Sequence, residues 1–111
     1  MTLGIHVIAE FYGVNYAYLN SPGFLKLSIE LAVKEAKMHL RKVVYEKFIP
    51  QGVTIFAILA ESHLAIHTWP EKGCAAVECF TCGAEGYPWK ALEILKDRLE
   101  PSKVNIRELK R

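Results

Sequence analysis

A chain of 111 residues has room for a single hydrophobic core and little spare volume for a deep active site of its own, so a site shared between subunits is the expectation. Hydrophobic residues make up 51% and charged residues 23% of the chain, which excludes a disordered polymer. The formal net charge of +2 leaves no basic field to steer nucleic acid, and no nucleic-acid partner is expected.

The first element is a strand over 4–12, where Ile5, Val7, Ala9 and Phe11 recur at period two. A polar loop follows, and Asn20-Ser21-Pro22 supplies an N-cap and a proline suited to a first helical turn. The spacing of Leu25, Ile29, Ala32, Val33, Ala36 and Leu40 predicts an amphipathic helix over about 22–40. Residues 43–48 read as a second strand, stopped by Pro50 and Gly52, and 53–60 as a nearly continuous apolar strand of central type. These two should form a hairpin. A further pair, 63–69 and 74–80, is joined by the turn Pro70-Glu71-Lys72-Gly73. Pro88 opens a second helix whose Ala91, Leu92, Leu95 and Leu99 face inward, Pro101 closes it, and 103–109 reads as a last strand. The order predicts an α+β fold, a two-layer sandwich in which two helices cover one face of a largely antiparallel sheet. His6 is expected at a sheet edge and His39 on a helix surface.

No apolar run reaches the roughly 18 to 20 residues that span a bilayer, and the N-terminus lacks the order of a signal peptide, so a cytosolic protein without a membrane partner is expected. Three cysteines, Cys74, Cys79 and Cys82, are an odd count, and a disulfide scaffold is not expected. Cys79 and Cys82 form a C-x-x-C pair, but no second pair completes a tetrahedral set, and residues three apart on a strand face opposite ways. No metal is expected. Cys74 and Cys79 are read as packing residues.

The densest chemistry lies in Glu61-Ser62-His63-Leu64-Ala65-Ile66-His67-Thr68-Trp69-Pro70-Glu71, where a packed strand would carry only apolar side chains. This stretch, with Phe80-Thr81-Cys82-Gly83 downstream, resembles the prokaryotic S-adenosylmethionine decarboxylase family. Similarity extends to His6-Val7-Ile8-Ala9-Glu10, Phe48-Ile49-Pro50-Gln51-Gly52-Val53 and Pro88-Trp89-Lys90-Ala91, and so covers most of the chain.

The resemblance implies a single-domain proenzyme, residues 1–111, that cleaves itself between Glu61 and Ser62 into a β chain (1–61) and an α chain (62–111). Ser62 Oγ would attack the Glu61 carbonyl, exchange amide for ester, and leave by β-elimination, so that Ser62 ends as a covalent pyruvoyl group. A serine hydroxyl is a weak nucleophile and needs help. The resemblance gives His67 the processing proton transfers, a task suited to an imidazole, and sets Thr54 where the family has an assisting serine. The pyruvoyl ketone would form a Schiff base with the substrate amine and act as electron sink in place of pyridoxal phosphate, with Cys82 as catalytic proton donor. Phe48 and His67 would flank the adenine of S-adenosylmethionine, Glu71 would accept from the ribose hydroxyls, and Trp69 or Tyr12 would meet the sulfonium. Glu10 receives no definite role, and His63 is left outside the catalytic set. A dimer of processed protomers with sites built from both chains is implied, as is a role in spermidine synthesis.

Two rival readings have their own residues. Pyruvoyl enzymes on the same scaffold decarboxylate arginine or ornithine, but retention of Phe48, His67 and Glu71 favours the nucleoside. An unprocessed, inactive regulatory homologue is the other, to which Thr54 and Ala65, at positions where the family commonly has serine or another hydroxyl, leave room.

Overall fold

The computed structural model describes residues 2–82 and 87–111. Six strands form one sheet: β1 (Ile5–Tyr12), β2 (Leu40–Lys47), β3 (Val53–Leu59), β4 (Ser62–Trp69), β5 (Cys74–Thr81) and β6 (Lys103–Lys110), in the order β2-β3-β4-β5-β1-β6. Every neighbouring pair is antiparallel. Helices α2 (Pro22–Glu35) and α3 (Pro88–Leu99) pack on each other and on one face of the sheet, α2 over β2 and β3, α3 over β1 and β5. The expected α+β sandwich is the observed one.

Period two explains the layering. Val7, Ala9 and Phe11 of β1, Ile55 and Ala57 of β3, Leu64 and Ile66 of β4, and Val77 and Cys79 of β5 are buried against Leu25, Ile29, Ala32, Leu92, Leu95 and Leu99 of the helices. Each fully buried leucine or isoleucine contributes roughly 1.5 to 3 kcal/mol of transfer free energy. The alternate residues, His6, Ile8, Glu10, Thr54, Phe56, His63, His67 and Glu78, project from the opposite face, over which no helix lies among the described residues.

Five expectations are corrected. The first helix ends at Glu35, not near residue 40, because Lys37 takes a left-handed φ of 58°. Met38 N–H then donates to Val33 O (3.0 Å) and Lys37 N–H to Lys34 O (3.1 Å), the paired bonds of a Schellman ending. Leu40 therefore begins β2 rather than finishing the helix. The expected polar loop contains a one-turn helix, α1 (Tyr16–Leu19), capped by Asn15, whose side chain accepts from Ala17 N–H at 2.7 Å. His6 is not at an edge, since β1 runs between β5 and β6. His39 lies beyond the helix, and its ring is bonded to Glu61. At Pro70–Lys72 the expected turn is a short 3₁₀ helix, closed by Gly73 at φ 65°.

Candidate active site

The residues singled out in the sequence fall into two groups at opposite ends of β4. Glu61, Ser62, His63 and Cys82 form one. Glu61 follows β3 and Ser62 opens β4, so the two straddle a tight connection in which Leu59 pairs with Ser62. His39 holds Glu61 in place: its N–H donates to Glu61 Oε1 (3.0 Å) and its Nδ1 lies 2.6 Å from Oε2. Burial raises the Glu61 pKa, but the hydrogen bonds from the His39 ring and N–H outweigh it and the net shift is downward.

Two donors converge on the Glu61 carbonyl oxygen. Cys82 N–H donates to it at 2.9 Å and Cys82 Sγ–H at 3.0 Å. The oxygen of the Glu61–Ser62 amide is thereby polarised by donors already in position, the arrangement that stabilises an oxyanion when a nucleophile adds to a carbonyl. Ser62 itself has φ of 151°, a region that residues with a Cβ rarely occupy, at a cost of order 1–3 kcal/mol. Strain thus sits on the nitrogen side of the amide that Cys82 polarises. Ser62 Oγ lies 3.3 Å from His63 Nδ1.

The other group gathers where β2 ends, β3 begins and β4 ends. Thr54 pairs with His67 across β3 and β4, and its Oγ1 lies 3.2 Å from His67 Nδ1. The hydroxyl of Thr54 and the ring of His67 are thus neighbours on the open face of the sheet. Phe48, just past β2, is exposed, as is Trp69 at the end of β4, while Glu71 lies on the 3₁₀ turn beyond it. A cavity of about 140 Å³ opens beside His67, lined also by Ile8, Ala76, Val77 and Glu78. A cavity of about 410 Å³ lies on the other side of the sheet against α3 and β6 and includes none of these residues.

The separation between the groups is the main surprise. Ser62 and His67 are five residues apart on one strand, about 16 Å at the rise of an extended chain. Hydrogen-bond reach is about 3 Å. Within one chain, His67 cannot touch Ser62.

Among the remaining residues, Glu10 is held by Arg107 through two 3.0 Å bonds, and the Arg107 hydrogen bond is the main cause of its lowered pKa. Tyr12 lies at the His67 end of the sheet with Lys103 Nζ 5.7 Å from its ring centre. Cys79 is buried, and burial first, with the charges of Glu61 and Glu78 after it, pushes its thiol up to about 12. It packs in the core, as expected, whereas Cys74 is only half-buried at the mouth of the turn. Gly83, the last residue of the downstream motif, lies outside the described residues.

Sequence reasoning passed over His63. It stacks on Phe56 (ring centres 5.1 Å apart, 19° between planes), and its Nε2 lies 3.5 Å from Glu78 Oε1. The other oxygen of Glu78 bonds His6 Nε2 at 2.9 Å. Donor atoms of His6, His63 and Glu78 lie within 4.8 Å of one another, a set of two imidazoles and a carboxylate that suits a metal ion by type. The signal that would have found His63 is its period-two relation to His67, which puts both imidazoles on the open face.

The family model described as S-adenosylmethionine decarboxylase matches residues 5–111. The chain belongs to this family, whose members are carboxy-lyases. It is 46% identical over 110 residues to the S-adenosylmethionine decarboxylase proenzyme of Acetivibrio thermocellus, covering 98% of this chain and 88% of that one. With the proenzyme of Moorella thermoacetica it shares 43% over 109 residues, covering 98% and 87%. The crystal structure of the adenosylmethionine decarboxylase from Aquifex aeolicus VF5 is similar throughout, with a TM-score of 0.93 at 34% identity, covering 99% of this chain and 91% of that one.

Proposed function

We propose that this chain is a proenzyme that cleaves itself between Glu61 and Ser62 and then, with the pyruvoyl group made from Ser62, decarboxylates S-adenosylmethionine to supply the aminopropyl donor of spermidine synthesis. The observation that carries the reading is the Glu61–Ser62 amide: its carbonyl oxygen accepts two bonds from Cys82, its far side is strained, and a hydroxyl waits on Ser62. A structural serine at a hairpin has no need of this apparatus.

The residues present fit a pyruvoyl precursor. Ser62 supplies the atoms, and the Cys82 thiol, 3.0 Å from the adjoining Glu61 oxygen, supports the reading of Cys82 as the later proton donor. When formed, the pyruvoyl ketone supplies an electron sink for the electrons left on the substrate carbon as carbon dioxide departs. Cys82 then has two successive tasks, first holding the Glu61 oxygen and later delivering a proton.

The distance of about 16 Å between Ser62 and His67 supports a dimer. If His67 handles protons for Ser62, it does so in the partner subunit, together with Thr54. The open face of the sheet fits such pairing. It has Ala65 and Ala76 near its centre and exposed Val44, Ile58 and Leu109, and two sheets stack face to face at about 10 Å. Phe48, Trp69 and Glu71, at the His67 end, would bind the nucleoside beside the partner's pyruvoyl group. Three free thiols, with the most exposed one in the site, fit a reducing compartment such as the cytosol.

The test is a denaturing intact mass of the purified protein, with Ser62→Ala beside it, followed by carbon dioxide release from carboxyl-labelled S-adenosylmethionine, arginine and ornithine. Two fragments dividing at Glu61/Ser62 and release from S-adenosylmethionine alone are expected. A persistent single chain would overturn self-processing and favour the inactive homologue. Release from arginine or ornithine instead would overturn the substrate.

A further inference from the structure

Self-cleavage needs a base for the Ser62 hydroxyl, and the chain's own His67 is out of reach. Another imidazole is already in place. His63 Nδ1 lies 3.3 Å from Ser62 Oγ, and on the far side of the ring Nε2 faces Glu78 Oε1 at 3.5 Å. Glu78 lies one step diagonally across the strand pair, since Ala65 pairs with Glu78 and His63 with Phe80. Its second oxygen is bonded to His6 of β1, which fixes the carboxylate from behind. Phe56 stacks against the His63 ring and sets its plane.

This row is not what a regular strand produces. Neighbouring side chains on a strand point to opposite faces, so Ser62 and His63 should not meet. Ser62 opens β4, and its hydroxyl nevertheless lies 3.3 Å from the ring of the next residue, while the φ of 151° sets where its side chain stands relative to the Glu61 carbonyl. A carboxylate facing Nε2 favours the tautomer with its proton there, leaving the Nδ1 lone pair free for the serine, as in a serine, histidine and carboxylate array.

The geometry points to His63 as the base that takes the Ser62 proton in the first step of cleavage, with Glu78, held by His6, as the residue that positions it. The inference rests on the self-processing reading above. In that step Ser62 Oγ bonds to the Glu61 carbonyl carbon while its proton moves to His63 Nδ1, and Cys82 holds the developing oxyanion. The bond from that carbon to the Ser62 nitrogen then breaks, and the proton on His63 passes to the leaving nitrogen. An ester and a free amine result, with no co-reactant consumed. This first step asks nothing of His67.

The experiment follows cleavage of freshly synthesised full-length chain by intact mass over time, for wild type, His63→Ala, His63→Gln, Glu78→Gln and Ser62→Ala. Hydroxylamine, which splits esters but spares amides, is added at each time point, and a parallel His63→Ala series receives free imidazole. Loss of a positioned base is expected to slow His63→Ala and His63→Gln by about 100-fold or more, with no hydroxylamine-sensitive ester building up. Imidazole should restore part of the His63→Ala rate, a rescue that lost packing would not give. Glu78→Gln should cleave more slowly than wild type and faster than His63→Ala. Cleavage of either His63 variant within about threefold of wild type, accumulation of ester, or no imidazole rescue in a chain with wild-type circular dichroism would overturn the assignment. If His63→Ala does not fold, His63→Gln decides by its rate and its ester content. An uncleaved wild type would overturn self-processing itself, which is a distinct result from a cleaving wild type with an indifferent His63.

Discussion

Replacing Cys82 by alanine removes one of two donors from the Glu61 carbonyl oxygen and leaves the other, the backbone N–H at 2.9 Å, in place. The magnitude follows from what is lost. A full oxyanion donor is worth about 10²–10³ in rate, but a thiol is a weak donor. An ordinary hydrogen bond contributes about 0.5–1.5 kcal/mol net, up to roughly tenfold in rate, and the charge that develops on the oxygen raises this further. We expect Cys82→Ala to cleave about 10- to 100-fold more slowly than wild type, and Cys82→Ser, which keeps a donor, to fall between them. The assay is the appearance of the 1–61 fragment by intact mass from a pulse of new synthesis. Cleavage of Cys82→Ala at the wild-type rate, in a chain with unchanged circular dichroism, would refute the claim that the thiol polarises the scissile carbonyl.

Other expectations concern the frame around the site. Thr68 Oγ1 accepts from Val53 N–H at 2.9 Å and donates to Leu19 O at 2.8 Å, both in buried surroundings, so Thr68→Val should cost about 1–3 kcal/mol in a urea titration. Cys79, with its thiol pushed up to about 12, should resist iodoacetamide in the native protein at pH 8, while peptide mapping finds the exposed Cys82 modified. Because the Glu61 pKa is lowered from 4.5, its contribution to stability is full above that value and lost as pH falls through the lower, folded one. In a Ser62→Ala background, the melting-temperature advantage of Glu61 over Glu61→Gln should therefore shrink as pH is lowered from 6 to 3.

The strands and both long helices were legible because burial imposes its period on the sequence: Ile5, Val7, Ala9 and Phe11 announce β1, and Leu92, Leu95 and Leu99 announce α3. Where the chain uses a residue against its preference, the sequence misleads. Lys37 ends a helix in a left-handed conformation usually left to glycine, so the helical pattern overran into β2. α1, at four residues, is too short to show any period. For the site, Ser62, Glu61 and Cys82 were readable through a resemblance of motifs, and the structure brings them together. The long separation of His67 from Ser62 follows from counting residues along β4, yet it mattered only once Ser62 was seen to open that strand. The meeting of His6 and Glu78 with His63 was not legible because it depends on which strands are neighbours, and β1 and β5 are far apart in sequence.

The order of strands also determines what the proposed cut would leave behind. Residues 1–61 contain β1, β2 and β3, and residues 62–111 contain β4, β5 and β6. In the sheet these do not lie side by side as two blocks: β3 borders β4, and β1 is inserted between β5 and β6, so three of the five seams would join one fragment to the other. Neither fragment could complete its share of the sheet alone. The chain would have to finish folding before such a cut, and the cut chain, once unfolded and diluted, would have to find its other half by diffusion. Maturation on these terms works as a ratchet, in which the intact precursor folds reversibly as one molecule and the mature enzyme holds its form without the means to regain it unaided.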